Sequence, residues 1–312
     1  MTDALDELLA REPFAILDGG LATELERRGS GLDDPLWSAR VLVDDPARLV
    51  AVHRSFAEAG ADVLASASYQ ATLPGLRARG LDDAAARAIL RRSIALVREA
   101  APDKLAAASI GPYGAYLADG SEYRGDYGLD RAELIAFHRP RLLELCAAQP
   151  DLLAFETIPD ATELAAIAEL LDASVGPRAW ISLSLRPDPG LLLADGTPLR
   201  QAIAPLRGHP RVAAIGVNCL GPGEVLRAVE ALVSCVPGLP VVAYPNSGER
   251  WIDRAWAGPH VGLDEFTALA RRWIDAGARL IGGCCRTGPA HIEALAALRE
   301  AMRAATIDPC MT

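Results

Sequence analysis

Aromatic residues make up only 5 % of this 312-residue chain, so its core must be aliphatic, and a hydrophobic fraction of 51 % rich in alanine, leucine and valine supplies one. Basic residues are outnumbered, 31 Lys and Arg against 41 Asp and Glu, and no Lys/Arg block stands out. A phosphate backbone needs a positive footprint, so nucleic acid is excluded as a partner. No apolar run reaches the roughly 18 residues a membrane helix requires. The opening MTDALDELLAREPF lacks the basic and then apolar stretches of a signal peptide. A soluble, cytoplasmic protein without membrane association is expected.

Histidine is scarce too. His53, His138, His209, His260 and His291 show no H-x-x-x-H or paired spacing, and are expected on helix surfaces or in loops rather than as ligands. Cysteine numbers six, and in a reducing compartment these thiols stay free. They are therefore read as metal ligand, nucleophile or core filler before disulfide. A G-x-G-x-x-G is missing after the first apolar run, where GGLATELE has only the first pair of glycines, so dinucleotide binding gains little support.

What the chain does have is a repeated alternation. Eight short apolar runs recur: FAILDGG (from Phe14), ADVLASAS (from Ala61), KLAAASIGP (from Lys104), DLLAFET (from Asp151), AWISLSL (from Ala179), VAAIGVNC (from Val212), PVVAYPN (from Pro240) and ARLIGGCC (from Ala278). Stretches of helical periodicity separate them, four opening on Asp45, Asp82, Asp130 and Asp160. A shorter one lies near Pro198 to Leu206. Nearly continuous apolar strands alternating with helices describe a parallel sheet buried on both faces, and eight such units close a (β/α)8 barrel. No low-complexity linker interrupts the pattern, so one domain spans 1–312, its core about 14–303. The connections after the first, third and seventh runs are long, and chemistry in such barrels sits at the C-terminal ends of the strands.

There the polar residues gather. Asp18 ends the first run, Glu156 the fourth, Cys219 the sixth, and the adjacent Cys284 and Cys285 the eighth. Runs four, six and eight fill the barrel at matching depths, so three thiols could converge despite their separation in sequence. Three thiolates make a soft site suited to zinc, with the fourth tetrahedral position open as in catalytic zinc centres. Neighbouring strand residues point to opposite faces; Gly282 and Gly283 are expected to supply the backbone freedom that turns both cysteines inward. A thiol at the open position would lose its proton, and Asp18 with Glu156 could hold an ammonium group on the same molecule. Asp18 could instead stabilise a turn, and Glu156 cap the helix that follows. Cys146, Cys235 and Cys310 read as buried fillers. Tyr113, Tyr116, Tyr123 and Trp251 either line the pocket or anchor loops.

DGGLATELE at Asp18, ETIPD at Glu156, GVNC ending at Cys219, YPNSGE at Tyr244 and GGCCRTGPAHI at Gly282 resemble the homocysteine S-methyltransferase family, from about Phe14 to Arg303. GPYGAYLADGSEYRGDY looks like the branch whose donor is S-methylmethionine or S-adenosylmethionine. The resemblance implies a (β/α)8 barrel with one Zn2+ per chain, which methylates the sulfur of L-homocysteine to give methionine. It implies Cys219, Cys284 and Cys285 as zinc ligands, Asp18, Gly19 and Glu156 at the homocysteine amino group, and Asn218 as a further contact beside the metal or substrate.

Two motifs depart from the family pattern near the mouth of the barrel. SASYQA, from Ser66, stands where relatives often read TNTYQA, and YPNSGE is followed by RWIDRAW. Thr157, where the betaine-using branch typically has tyrosine, argues against betaine, and the modules of a cobalamin-dependent enzyme are not expected. Glu122, Asp126 and the tyrosines after the third run could attract a cationic donor. Selenocysteine methylation is the nearest rival; a redox pair or a zinc store are more distant ones. The sequence leaves open a monomer or a homo-oligomer.

Overall fold

All eight apolar runs become strands of one parallel sheet in the structure, a computed structural model that describes residues 3–31, 38–187, 190–252 and 255–307. The strands are β1 (Ala15–Ile16), β2 (Val63–Ala65), β3 (Leu105–Ile110), β4 (Leu152–Ile158), β5 (Ala179–Leu183), β6 (Val212–Asn218), β7 (Val241–Tyr244) and, after a two-stranded hairpin of β8 (Arg250–Ile252) and β9 (Ala255–Ala257), β10 (Ala278–Ile281). The sheet order is β1-β10-β7-β6-β5-β4-β3-β2. A parallel bridge from Leu17 to Val63 joins its two edges, with hydrogen bonds from the Asp18 amide to the Val63 carbonyl (3.1 Å) and from the Asp62 amide to the Ile16 carbonyl (2.8 Å). The result is a (β/α)8 barrel without a free edge, the solution that removes unpaired strand backbone.

Side-chain alternation sorts the strands into two cores. Ile16, Leu64, Leu153, Phe155, Ile181, Ile215 and Ile281 face outward into the helix layer. Leu17, Val63, Ala107, Leu152, Ala154, Trp180, Ala214, Val242 and Leu280 face inward and fill the lumen. Alanines on several strands leave the room that Trp180 occupies. The N-terminal helix Ala4–Arg11 closes the far end: Leu5 joins the inner core, and Arg178 pairs with Asp3 and Asp6 at 2.6 Å each.

The four aspartates read as helix starts are N-caps. Asp45 accepts from the Arg48 amide, Asp82 from Ala85, Asp160 from Thr162 and Glu163, and Asp130 forms a reciprocal box with Glu133. Each supplies an acceptor to amides that have no partner inside the helix. The stretch near Pro198 is different: it forms one turn of helix, Leu199–Ala202, and then a 3-10 turn, Ala204–Leu206, because Pro205 has no amide to continue the ladder. The first long connection likewise carries helices Leu21–Arg27 and Ser38–Asp44, and the seventh folds into the β8–β9 hairpin.

Candidate active site at the C-terminal mouth of the barrel

Along each strand the inward side chains change from apolar to polar toward the C-terminal end. Above Ala107 comes Ser109; above Ala154, Glu156; above Trp180, Ser182; above Val242, Tyr244. These form one network. Glu156 accepts from the Ser109 hydroxyl and, at 3.0 Å, from the Tyr244 hydroxyl. Tyr244 in turn meets Ser182 and the Trp180 indole N–H (3.1 Å). Asp18 accepts from the Ala65 amide (2.9 Å), with Gly19 buried beside it.

Both carboxylates are buried without a basic partner among the described residues. Burial, with the charge of Glu156 adding to it, holds Asp18 well above the ordinary carboxylate range. Burial also raises Glu156 to about 7, against the pull of its Ser109 and Tyr244 hydrogen bonds. Desolvation disfavours the charged form, so the pair is a ready receptor for a cation. Glu156 does not cap the following helix; Asp160 does.

Above this layer the Sγ atoms of Cys219, Cys284 and Cys285 lie within 4.8 Å of one another, with 3.5 Å between Cys219 and Cys285. All three residues are half-buried. The neighbouring thiols stabilise a thiolate on Cys219 and push its pKa well down, while those on Cys284 and Cys285 rise correspondingly. The hydroxyl of Tyr123 lies 3.4 Å from Cys219 Sγ.

The backbone explains how adjacent cysteines share a target. Strand β10 ends at Ile281, and a turn at Cys285–Arg286 follows, pinned by Cys284 N to Pro245 O (2.7 Å) and Ser247 N to Cys285 O (3.2 Å). The left-handed residues are Cys219 (φ 56°) and Arg286 (φ 66°), not Gly282 or Gly283. That corrects the expectation that the glycines act through conformational freedom. They act through space: a Cβ on Gly282 would sit 2.6 Å from Leu17 Cβ, and one on Gly283 2.1 Å from Thr287 Oγ1.

Asn218 sits in the same layer, its amide bound to Thr157 and 3.9 Å from Cys284 Sγ. Sequence reasoning missed Ser109, Ser182 and Tyr244; the signal was period-two alternation carried past the apolar part of each strand. It also misplaced three histidines, His291 being buried on its helix. His53 and His138 are fully buried, His138 between Glu163 (2.7 Å) and Arg141 (2.7 Å). Tyr113 packs on Tyr116, Tyr127 and Phe137 and so anchors the loop after β3. Cys146 and Cys235 lie outside the thiol cluster. The side chain of Trp251 and all of Cys310 lie outside the described residues.

The C-terminal mouth of the barrel thus carries three converging thiols beside two buried carboxylates. The chain belongs to the homocysteine S-methyltransferase family, whose model matches residues 15–299, and it is a methyltransferase. It is 47 % identical to the homocysteine S-methyltransferase of Escherichia coli over 305 residues, covering 94 % of this chain and 97 % of that protein. It is 41 % identical to the selenocysteine Se-methyltransferase of Brassica oleracea over 309 residues, covering 90 % and 88 %. The metallated form of the E. coli homocysteine methyltransferase MmuM superposes with a TM-score of 0.84 at 46 % identity, over 94 % of this chain and 99 % of that one.

Proposed function

We propose that this protein is a zinc-dependent homocysteine S-methyltransferase, transferring a methyl group from S-methylmethionine or S-adenosylmethionine to L-homocysteine to form methionine in the cytoplasm. The observation that carries the reading is the convergence of three thiols on one point. Sulfurs bound tetrahedrally at about 2.3 Å from zinc stand roughly 3.8 Å apart. That compares with 3.5 Å between Cys219 and Cys285 and at most 4.8 Å across the set, so the residues fit the ion. A relative solved in a metallated form supports the same reading. One Zn2+ per chain, held by Cys219, Cys284 and Cys285, would supply the positive charge that lowers a substrate thiol's pKa from its usual value near 8.5.

The rest falls to the chain's own side chains. Asp18 and Glu156, beside Gly19, receive the homocysteine ammonium, and that cation relieves the cost of their burial. Ser109 and Tyr244 each hold one oxygen of Glu156, which fixes the carboxylate's direction. Asn218 holds the backbone beside it. The amino acid is thus oriented with its sulfur toward the open side of the thiol cluster, where proximity does much of the work. In the transfer, a sulfur lone pair forms the new S–CH3 bond as the donor's C–S+ bond breaks, and that electron pair returns to the donor sulfur as a neutral thioether. No leaving-group protonation is required.

The relative named selenocysteine Se-methyltransferase supports a second acceptor, since a selenol is a softer version of the same ligand. The partners proposed are therefore small molecules, with no nucleic acid and no membrane; among the described residues no helix is long and apolar enough to cross one. The test measures zinc content and methionine formation with each sulfonium donor in wild type and Cys219→Ser, with selenocysteine in parallel. Wild type is expected to carry zinc and form methionine, and the variant to lose both. Full activity without zinc, or in the variant, contradicts the reading.

A further inference from the structure

The loop after β3 brings one carboxylate to the mouth of the barrel that the acceptor site does not use. Glu122 lies in the 3-10 turn Ser121–Tyr123, immediately before the tyrosine whose hydroxyl reaches Cys219 Sγ. Its Oε2 is buried and has no hydrogen-bond partner. The nearby guanidinium does not neutralise it, because Arg124 is engaged by the Asp119 carboxylate (3.4 Å), the Asp119 carbonyl (3.3 Å) and Ser121 Oγ (3.0 Å). The turn is firmly seated. Asp119 accepts from the Ser121 amide at 2.9 Å, and Gly114 packs so closely beneath that a Cβ there would sit 2.5 Å from the Glu122 amide nitrogen.

A carboxylate with one oxygen buried and unpartnered costs free energy unless something positive completes it. Burial, and then the facing charge of Cys219, push Glu122 up to about 7. The same two charges, Glu122 and Cys219, act on Tyr69 after its burial, which places that half-buried ring in the field of both. A cation entering over the thiols would meet Tyr123, whose hydroxyl lies 3.4 Å from Cys219 Sγ, and Glu122 immediately before it in the same turn.

We infer that Glu122 is the specificity residue for the methyl donor, recognising the permanent positive charge of a sulfonium and admitting it between the loop after β3 and the thiol cluster. The inference rests on the methyltransferase reading above. A sulfonium cannot shed its charge by losing a proton, but it loses that charge as the methyl leaves. An attraction to Glu122 is thus strongest for the bound donor and fades in the transition state, so it acts on donor binding rather than on the chemical step. Of the other acids of this loop, Asp119 is taken up by Ser121 and Arg124, and Asp126 ties the loop to Asp160 through its backbone amide (3.0 Å).

The test is Glu122→Gln, with Glu122→Asp as the conservative variant. Titration of each protein with S-methylmethionine is expected to show about tenfold weaker binding in E122Q, equivalent to roughly 1.4 kcal/mol, with partial recovery in E122D. In turnover the loss should appear in KM for the sulfonium and not in KM for L-homocysteine, and methyl iodide, a neutral electrophile, should respond far less than the sulfonium. Unchanged sulfonium affinity in E122Q overturns the inference. So does a parallel loss for the sulfonium, methyl iodide and homocysteine, which would make Glu122 a loop-folding residue. If wild type binds the sulfonium but forms no methionine, the methyltransferase reading fails while the binding comparison still decides the role of Glu122.

Discussion

Asn218 and Thr157 are bound to each other through both polar atoms of the Asn218 amide. Oδ1 accepts from the Thr157 backbone N–H at 3.0 Å, and Nδ2 donates to Thr157 Oγ1 at 2.8 Å. Thr157 needs this grip, for it is a β-branched residue held at φ 61°, in the left-handed region that such residues avoid. The pair couples the backbone next to Glu156 with the backbone next to Cys219.

Asn218→Ala should accordingly harm both stability and the thiol site. The buried Thr157 amide would be left with only the long contact to Ser182 Oγ (3.4 Å), at a cost of about 1–3 kcal/mol, measurable by chemical denaturation. Loss of a residue that orients a ligand weakens metal affinity roughly 10- to 100-fold, measurable by chelator competition. At position 157 itself, glycine is expected to be more stable than alanine by about 1 kcal/mol, since alanine retains the left-handed strain.

Glu156 gives the protein without substrate a pH dependence of defined sign. Its carboxyl titrates near 7 in the folded chain against an ordinary 4.5, so its stabilising contribution is complete below pH 4.5 and is lost as pH rises through about 7. The shift amounts to about 3 kcal/mol. Glu156→Gln should flatten that part of the stability profile, and should raise KM for L-homocysteine about tenfold or more by removing a charged partner of the ammonium. An unchanged KM would remove Glu156 from acceptor recognition.

His53 acts in the opposite direction. It is fully buried, both ring nitrogens lack partners, and burial lowers its pKa to about 4 from 6.5. The unfolded chain takes up this proton first, so stability is complete above pH 6.5 and falls as pH drops toward 4, by about 3 kcal/mol. His53→Leu should flatten the acid limb of the denaturation profile and leave the neutral limb, to which Glu156, Asp18 and Glu122 contribute, in place.

Gly283→Ala tests whether space, rather than backbone freedom, is what the vicinal cysteines require. The added methyl would meet Thr287 at 2.1 Å, and overpacking of this kind costs about 1–3 kcal/mol. The turn carrying Cys284 and Cys285 must shift, so zinc stoichiometry should fall along with thermal stability. Retention of both would mean that the turn tolerates displacement.

Much of this was legible in the sequence, for physical reasons. Strands buried on both faces advertise themselves as apolar runs, and aspartate caps mark helix starts, so the barrel and the depth of Glu156, Cys219 and Cys284 followed from pattern. The β8–β9 hairpin did not, because its Arg-Trp-Ile-Asp-Arg-Ala-Trp run has no glycine or asparagine turn to announce it. Cys219 in the left-handed region was invisible as well, since tertiary contact overrides what a cysteine prefers. His138 misled because its burial depends on Glu163, 25 positions away on another helix, which no local pattern reveals. Glycine was recognised at positions 282 and 283, but for the wrong reason: a close approach leaves the same letter in the sequence as a positive φ.

The central claim is that Cys219, Cys284 and Cys285 hold one zinc whose remaining position accepts homocysteine sulfur. Zinc X-ray absorption of the purified protein, before and after L-homocysteine, tests it directly. The account predicts three sulfurs at about 2.3 Å with one lighter ligand, becoming four sulfurs on addition of homocysteine. Fewer than three sulfurs in the resting protein, or a shell that homocysteine leaves unchanged, would contradict it.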